Sequence, residues 1–230
     1  MLRTEVRIVA SPGVLPRIHA TGGLAARRTG PDIVHLIGTA ATPLGGDELD
    51  IAVVVEPGAR LCLRSVAATI ALPGRTTPLS HAHWTFEVGA GGELDVDPEP
   101  TVIAGGAVHH AVTTVRLAED ARLRLRERVQ VGRTDETVGH WRGDLVADLD
   151  SMPLLRHRLE LGEDSPTDDA LAAPRAITSV LRYPDESGSR TWGLDAALLP
   201  LAAGGSLYTW TGARLSDEPI AEIEVAAIQR

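Results

Sequence analysis

Leu49-Asp50-Ile51-Ala52-Val53-Val54-Val55-Glu56-Pro57-Gly58-Ala59-Arg60-Leu61-Cys62-Leu63 is the stretch that decides the fold. Leu49, Ile51, Val53 and Val55 share one parity, the period of a strand with one buried face. Glu56-Pro57-Gly58-Ala59 then supplies a turn. Proline presets the first central dihedral and glycine accepts the positive φ of the second, as a type II turn requires. Alternation resumes at Leu61 and Leu63.

The same unit returns twice downstream. Ala82, Trp84, Phe86 and Val88 alternate against His81, His83, Thr85 and Glu87, turn at Gly89-Ala90-Gly91-Gly92, and resume at Leu94 and Val96. Val112 to Leu117 leads through Ala118-Glu119-Asp120-Ala121 to Leu123 and Leu125. The leucines just after the turns, Leu61, Leu94 and Leu123, are 33 and 29 residues apart. That uneven spacing fits stacked hairpins better than a strict solenoid. A hairpin alone is marginal and must bury its apolar face on its neighbours. The sequence therefore predicts a mainly β fold: stacked β-hairpins in a β-helix-like arrangement with a few short α segments, in a single domain over 1–230. Gly162 to Pro174 is acidic, holds two prolines and reads as a mobile loop with a short helical turn at Asp168 to Ala173. Ala176 to Tyr183 and Ser206 to Trp210 read as strands, and Ile220 to Ile228 as a last strand or short helix.

Composition narrows the function classes. The 22 basic residues, all arginine, face 31 acidic ones for a net charge of −9. This balance argues against a nucleic-acid partner, which requires clustered basic charge. Without lysine there is no Schiff base and no Walker-type phosphate lysine. Cys62 is the single cysteine, which excludes an intramolecular disulfide and a multi-thiolate zinc site. The longest apolar run, Ile51 to Val55, is far short of a membrane span, and the first twenty residues lack a signal-peptide core. A cytoplasmic protein with no membrane association is expected.

No Gly-x-Ser-x-Gly, His-Glu-x-x-His or phosphate-cradling glycine motif is present. His81 and His83 project from one strand face and could reach one cation, with Glu87 further along; the alternative is that they face water. His109-His110 reads as a solvated pair at a strand start, since neighbours point to opposite faces. Cys62 lies between Leu61 and Leu63 on the opposite parity. Arg60 and Arg64 would favour its thiolate if it is exposed, but a small apolar residue is the plainer reading. Arg122, Arg124, Arg126 and Arg128 make a four-rung stripe that must be solvated or paired, with Asp144, Asp148 and Asp150 as candidate partners. It reads as a docking surface for an acidic protein or as a salt-bridged outer face. In Thr42-Pro43-Leu44-Gly45-Gly46-Asp47-Glu48-Leu49-Asp50, two glycines permit a tight turn and three carboxylates crowd before the strand. Asp47 shares parity with Leu49 and Ile51, so its carboxylate points inward, where it needs a partner or a cation.

At this segment the chain resembles the urease accessory protein D family, called H in some bacteria. The matching stretch runs from Pro43-Leu44-Gly45-Gly46-Asp47 through Glu56-Pro57-Gly58-Ala59-Arg60 to Ala67-Ala68-Thr69. Gly30-Pro31, Gly92-Glu93-Leu94, Pro98 to Ile103 and Ala118 to Arg126 are similar too. The similarity is clear over Gly30 to about Arg133 and faint beyond. Val66 and Ile70 stand where the family commonly has glutamine and lysine.

The resemblance implies a non-enzymatic scaffold for urease maturation. Such a scaffold binds accessory protein F, which recruits the GTPase accessory protein G, and docks on apo-urease to pass nickel to its active site through an internal tunnel. It implies no tightly bound cofactor, only Ni²⁺ in transit, and leaves open whether the assembly dimerises through F. Asp47, with Glu48 and Asp50, is the expected nickel path. A transit site should hold the ion through oxygen or single-imidazole ligands, because a closed cage would not release it. Docking also predicts an exposed apolar patch. The rival readings are a β-fold hydrolase or lyase, with His81, His83 or His140 beside an acid in a deep pocket, and a metal-independent β binding module.

Overall fold

The computed structural model describes residues 1–170 and 172–219. In chain order the first strands are β1 (Arg3–Ala10), β2 (Arg17–Thr21), β3 (Leu24–Arg28), β4 (Ile33–Gly38), β5 (Glu48–Val55), β6 (Arg60–Ser65), β7 (Thr69–Ala71), β8 (Leu79–Val88) and β9 (Glu93–Asp97). There follow β10 (Thr101–Ile103), β11 (Val108–Leu117), β12 (Arg122–Val131), β13 (His140–Leu149), β14 (Met152–Gly162), the helix α1 (Pro166–Ala170), β15 (Ala176–Tyr183), β16 (Arg190–Trp192), β17 (Ala196–Pro200) and β18 (Ser206–Gly212).

They form two facing sheets. The first has the order β14-β13-β11-β8-β5-β1-β2. The second runs β16-β17-β18-β15-β12-β9-β6-β4-β3, with the short β10 and β7 attached beside β12. The mainly β, stacked, β-helix-like class stands as the alternation predicts. Within it, the two strands of each unit do not pair with each other as in a hydrogen-bonded hairpin. Each turn carries the chain across the core as an arch: β5, β8 and β11 lie parallel in the first sheet, β6, β9 and β12 parallel in the second. The physical reason is burial. A flat hairpin would put both apolar faces on one side, whereas an arch turns them toward each other and fills one core between the sheets.

The repeat is in register despite its uneven spacing. Leu61 lies opposite Leu94 and Leu94 opposite Leu123, three rungs of one buried column. Across the core Val53, Phe86 and Val115 form the facing column. Surplus residues are absorbed in the connections. The first turn closes with Ala59 N–H donating to the Glu56 carbonyl at 2.9 Å, and Gly58 takes φ +72°, as a type II turn requires. Antiparallel pairs close the stack at both ends: β1–β2 and β3–β4 at one, β13–β14 and β15–β18–β17–β16 at the other. Such closures hide the open edges of a stack of parallel strands.

The strands over Ala176–Tyr183 and from Ser206 are where alternation places them, the latter running on to Gly212. The helical turn in the acidic loop falls at Pro166–Ala170, two residues earlier than expected, because proline is favoured in a first turn. The segment Ile220 to Ile228 lies outside the described residues. Among the described residues no helix is long and apolar enough to cross a membrane.

Candidate functional site

The turn before β5 is built on two glycines with different tasks. A Cβ on Gly45 would lie 1.9 Å from the Thr77 carbonyl oxygen, so only glycine fits there, while Gly46 adopts φ +95°. The reversal sends the Asp47 carboxylate inward, as its parity predicts, to 3% exposure. There Oδ1 accepts the Leu2 N–H at 2.6 Å, and Oδ2 accepts the Leu44 N–H at 3.0 Å and the Thr42 hydroxyl at 3.1 Å. The buried charge is compensated by three donors of the chain itself. Glu48 and Asp50 leave the turn on the other face, in register with His81 and His83, and Asp50 pairs with Arg3 at 3.2 Å. The three carboxylates that crowd together in sequence are thus divided between the two faces of one sheet.

A cavity of about 460 Å³ opens between the sheets beside this turn. Leu49, Ala82, Trp84 and His109 line it from the first sheet, Leu36 and Thr69 from the second, and the half-exposed Val66 and Ile70 stand at its rim. A narrow space of about 50 Å³ adjoins it, sharing Trp84 and Thr101 as walls and reaching Glu127.

Two titratable groups look into these spaces. His109 is buried, not solvated as the sequence suggests: β11 starts at Val108 and its odd residues face the core. Its Nδ1 is 2.9 Å from the Ser80 hydroxyl, and burial first, then His110 and His81, push its pKa down to about 4. The ring is neutral at pH 7. Glu127 follows the same parity rule on β12, between the buried Leu125 and Val129. No hydrogen bond or ion pair reaches its carboxylate among the described residues, and burial pushes its pKa up to about 7. Part of its surface remains open, onto the narrow space beside the cavity. Sequence reasoning missed both. The signal was there in the parity of Leu123, Leu125 and Val129, which makes Glu127 the one carboxylate aimed inward from that strand.

The outer face of the first sheet holds the histidines singled out from the sequence. His81 and His83 do project from the same face, with ring centroids 6.3 Å apart. His110 of β11 stands directly opposite His81 at 5.7 Å, and His140 of β13 is 6.5 Å from His110. Burial, His81 and Arg142 lower the basicity of His110. Glu87 does not join them; it pairs with Arg116 at 3.0 Å. His81, His83 and His140 therefore stand outside the cavity, not in the deep pocket that a hydrolase would need. Among the described residues no group of three or more His, Cys, Asp and Glu side chains converges on one point that could hold a metal ion.

The arginine stripe lies on the outer face of the second sheet. Its partners are not Asp144, Asp148 and Asp150. Asp144 pairs with Arg142 and Arg158, and Asp148 with Arg156, all on the other sheet, while Asp150 sits at a tight turn with φ +50°. Strand β9 and, after β18, Glu218 supply the charges instead: Arg124 meets Asp95 at 3.0 Å and Asp97 at 3.2 Å, Arg126 meets Asp97 at 3.8 Å and Glu218 at 3.6 Å, and Arg128 meets Asp97 at 3.4 Å. Arg122 is exposed. On the same face, burial and then Asp95 raise the pKa of Cys62 against the pull of Arg64 and Arg60. It is a half-buried thiol, not an activated thiolate.

Comparison with known proteins adds a family. A family model described as "UreD urease accessory protein" matches residues 9–209, well beyond the stretch in which the resemblance is plain by eye. The chain is 40% identical over 194 residues to "Urease accessory protein UreD 1" of Saccharopolyspora erythraea, covering 81% of this chain and 74% of that one. It is 42% identical over 240 aligned positions to "Urease accessory protein UreD" of Frankia alni (90% and 80% covered) and 34% identical over 209 to that of Streptomyces coelicolor (85% and 82%).

Proposed function

The chain belongs to the UreD urease accessory protein family, and from that premise we propose that it is a non-catalytic scaffold of urease maturation. With accessory proteins F and G it docks on apo-urease and passes Ni²⁺ to the active site. The observation that carries this reading is the cavity between the sheets, into which His109 offers a neutral imidazole, together with the narrow adjoining space that reaches the Glu127 carboxyl, unpaired among the described residues. Oxygen and single-imidazole donors hold Ni²⁺ without enclosing it, which suits an ion that must move on. Asp47 supports the path by fixing the turn at its side, while Glu48 and Asp50 lie on the outer face of the same strand. Val66 and Ile70 give the rim an apolar surface for a partner, and Arg122, Arg124, Arg126 and Arg128 offer an acidic partner a second one.

The test is co-expression with accessory proteins F and G, followed by affinity capture and size-exclusion chromatography. A co-eluting complex is expected. In the same complex, Glu127→Gln should assemble normally but activate apo-urease poorly at limiting Ni²⁺. Failure of the folded chain to bind F or G removes the scaffold reading, and full activation by Glu127→Gln removes the cavity as the route.

A further inference from the structure

Four of the chain's eight histidines gather on one patch of the first sheet's outer face, on three consecutive strands. Outward positions of a strand need only be compatible with water, so the fold does not require imidazoles there. His81 and His110 are directly opposite each other in parallel register, their rings edge to face at 5.7 Å. His83 stacks on His81 at 6.3 Å, and His140 approaches His110 edge-on at 6.5 Å. Carboxylates bound the patch on both sides: Glu48 in register with His81, and Glu160 with an oxygen 3.7 Å from His140 Nε2.

The chemistry of this set is that of a borderline divalent cation. Neutral imidazole suits nickel, zinc and copper, whereas magnesium and calcium want oxygen. Two imidazole nitrogens, each about 2.1 Å from a shared ion, sit about 3 Å apart. Ring centroids 5.7 Å apart reach that spacing by side-chain rotation alone, since both histidines stand on the open face of the sheet. Because among the described residues no three donors already converge, coordination is completed by water or by a swing of His83 or His140. Such a site is open and exchanges its ion readily.

We propose that the His81–His110 cross-strand pair, with His83 and His140 beside it, is a surface binding site for a first-row divalent transition-metal ion, separate from the cavity between the sheets. The site stands on the surface chemistry of this chain and does not depend on the cavity route. Sheet β8–β11 separates the two, since Ala82 and His109, the chain neighbours of His81 and His110, face the opposite side.

The experiment is calorimetric titration of the full chain with Ni²⁺ and with Zn²⁺, repeated on His81→Gln/His110→Gln and on Glu127→Gln. Circular dichroism checks that each variant is folded, and the histidine positions are outward-facing and tolerant. The wild type should bind an ion that the double variant binds about tenfold or more weakly. Imidazole NMR signals of His81 and His110 should shift or broaden first. No binding by the wild type overturns the proposal. So does undiminished affinity in His81→Gln/His110→Gln, or a loss confined to Glu127→Gln, which would put the ion in the cavity.

Discussion

The Asp47 carboxylate accepts the Leu2 backbone N–H at 2.6 Å, tying the start of β1 to the turn that launches β5. With the Leu44 N–H and the Thr42 hydroxyl also bound, Asp47→Ala would leave buried donors without an acceptor. A loss of about 3 kcal/mol is expected, or a Tm lower by roughly 6–12 °C. Asp47→Asn should lose less, because its amide keeps one acceptor. Urease activation should fall in step with the amount of folded protein. Normal folded yield with lost activation in Asp47→Asn would reveal a role for the carboxylate beyond the turn.

Gly45→Ala should be more damaging than Gly46→Ala. The first meets the Thr77 carbonyl oxygen and the Gly74 backbone, neither of which can move aside, and should lose about 3 kcal/mol or more. The second has space for its Cβ and only its positive φ to bear, about 1–2 kcal/mol. Chemical denaturation of the two variants checks the order.

Glu127 gives the fold a pH dependence of defined sign. Its pKa rises from 4.5 to about 7 on folding, so between those values the native state holds a proton that the unfolded chain has released. Stability contributed by the neutral acid is complete below pH 4.5 and is lost as pH rises toward 7. Glu127→Gln should match the wild type in acid and exceed it by about 2–3 kcal/mol at pH 8. Denaturant midpoints across that range test it; a difference that does not change with pH would mean that the carboxyl is not desolvated.

Asp97 is the hub of the arginine stripe, within 3.8 Å of Arg124, Arg126 and Arg128. Asp97→Asn leaves three neighbouring cations without their shared counter-ion. It should cost about 1–3 kcal/mol at low salt. In 1 M NaCl, where the screening length falls to about 3 Å, the deficit should shrink. Thermal melts at the two ionic strengths decide, and a deficit unchanged by salt would point to packing.

Much of the fold was legible because the signal was local. Alternation alone assigns Ala82, Phe86 and Val88 to the core and His81 and His83 to the outside, and the post-turn leucines mark the repeat. Glu127 and His109 follow the same rule, but an isolated polar residue on an apolar parity is easily passed over. The partners of the arginines were not legible at all. Asp95 and Asp97 are no more conspicuous in sequence than Asp144 and Asp148, and only strand order decides which set lies beside β12.

By itself, then, the sequence determined the strands of the three repeat units and two later ones, where the units turn, which face of each is buried and, through its Gly-Gly-Asp segment, the family. Only the tertiary structure decided that the turns are arches, that a cavity lies between the sheets, and that four histidines share one outer face. A period of two fixes the side on which a residue points, but it carries no information about which distant strand will lie next to it.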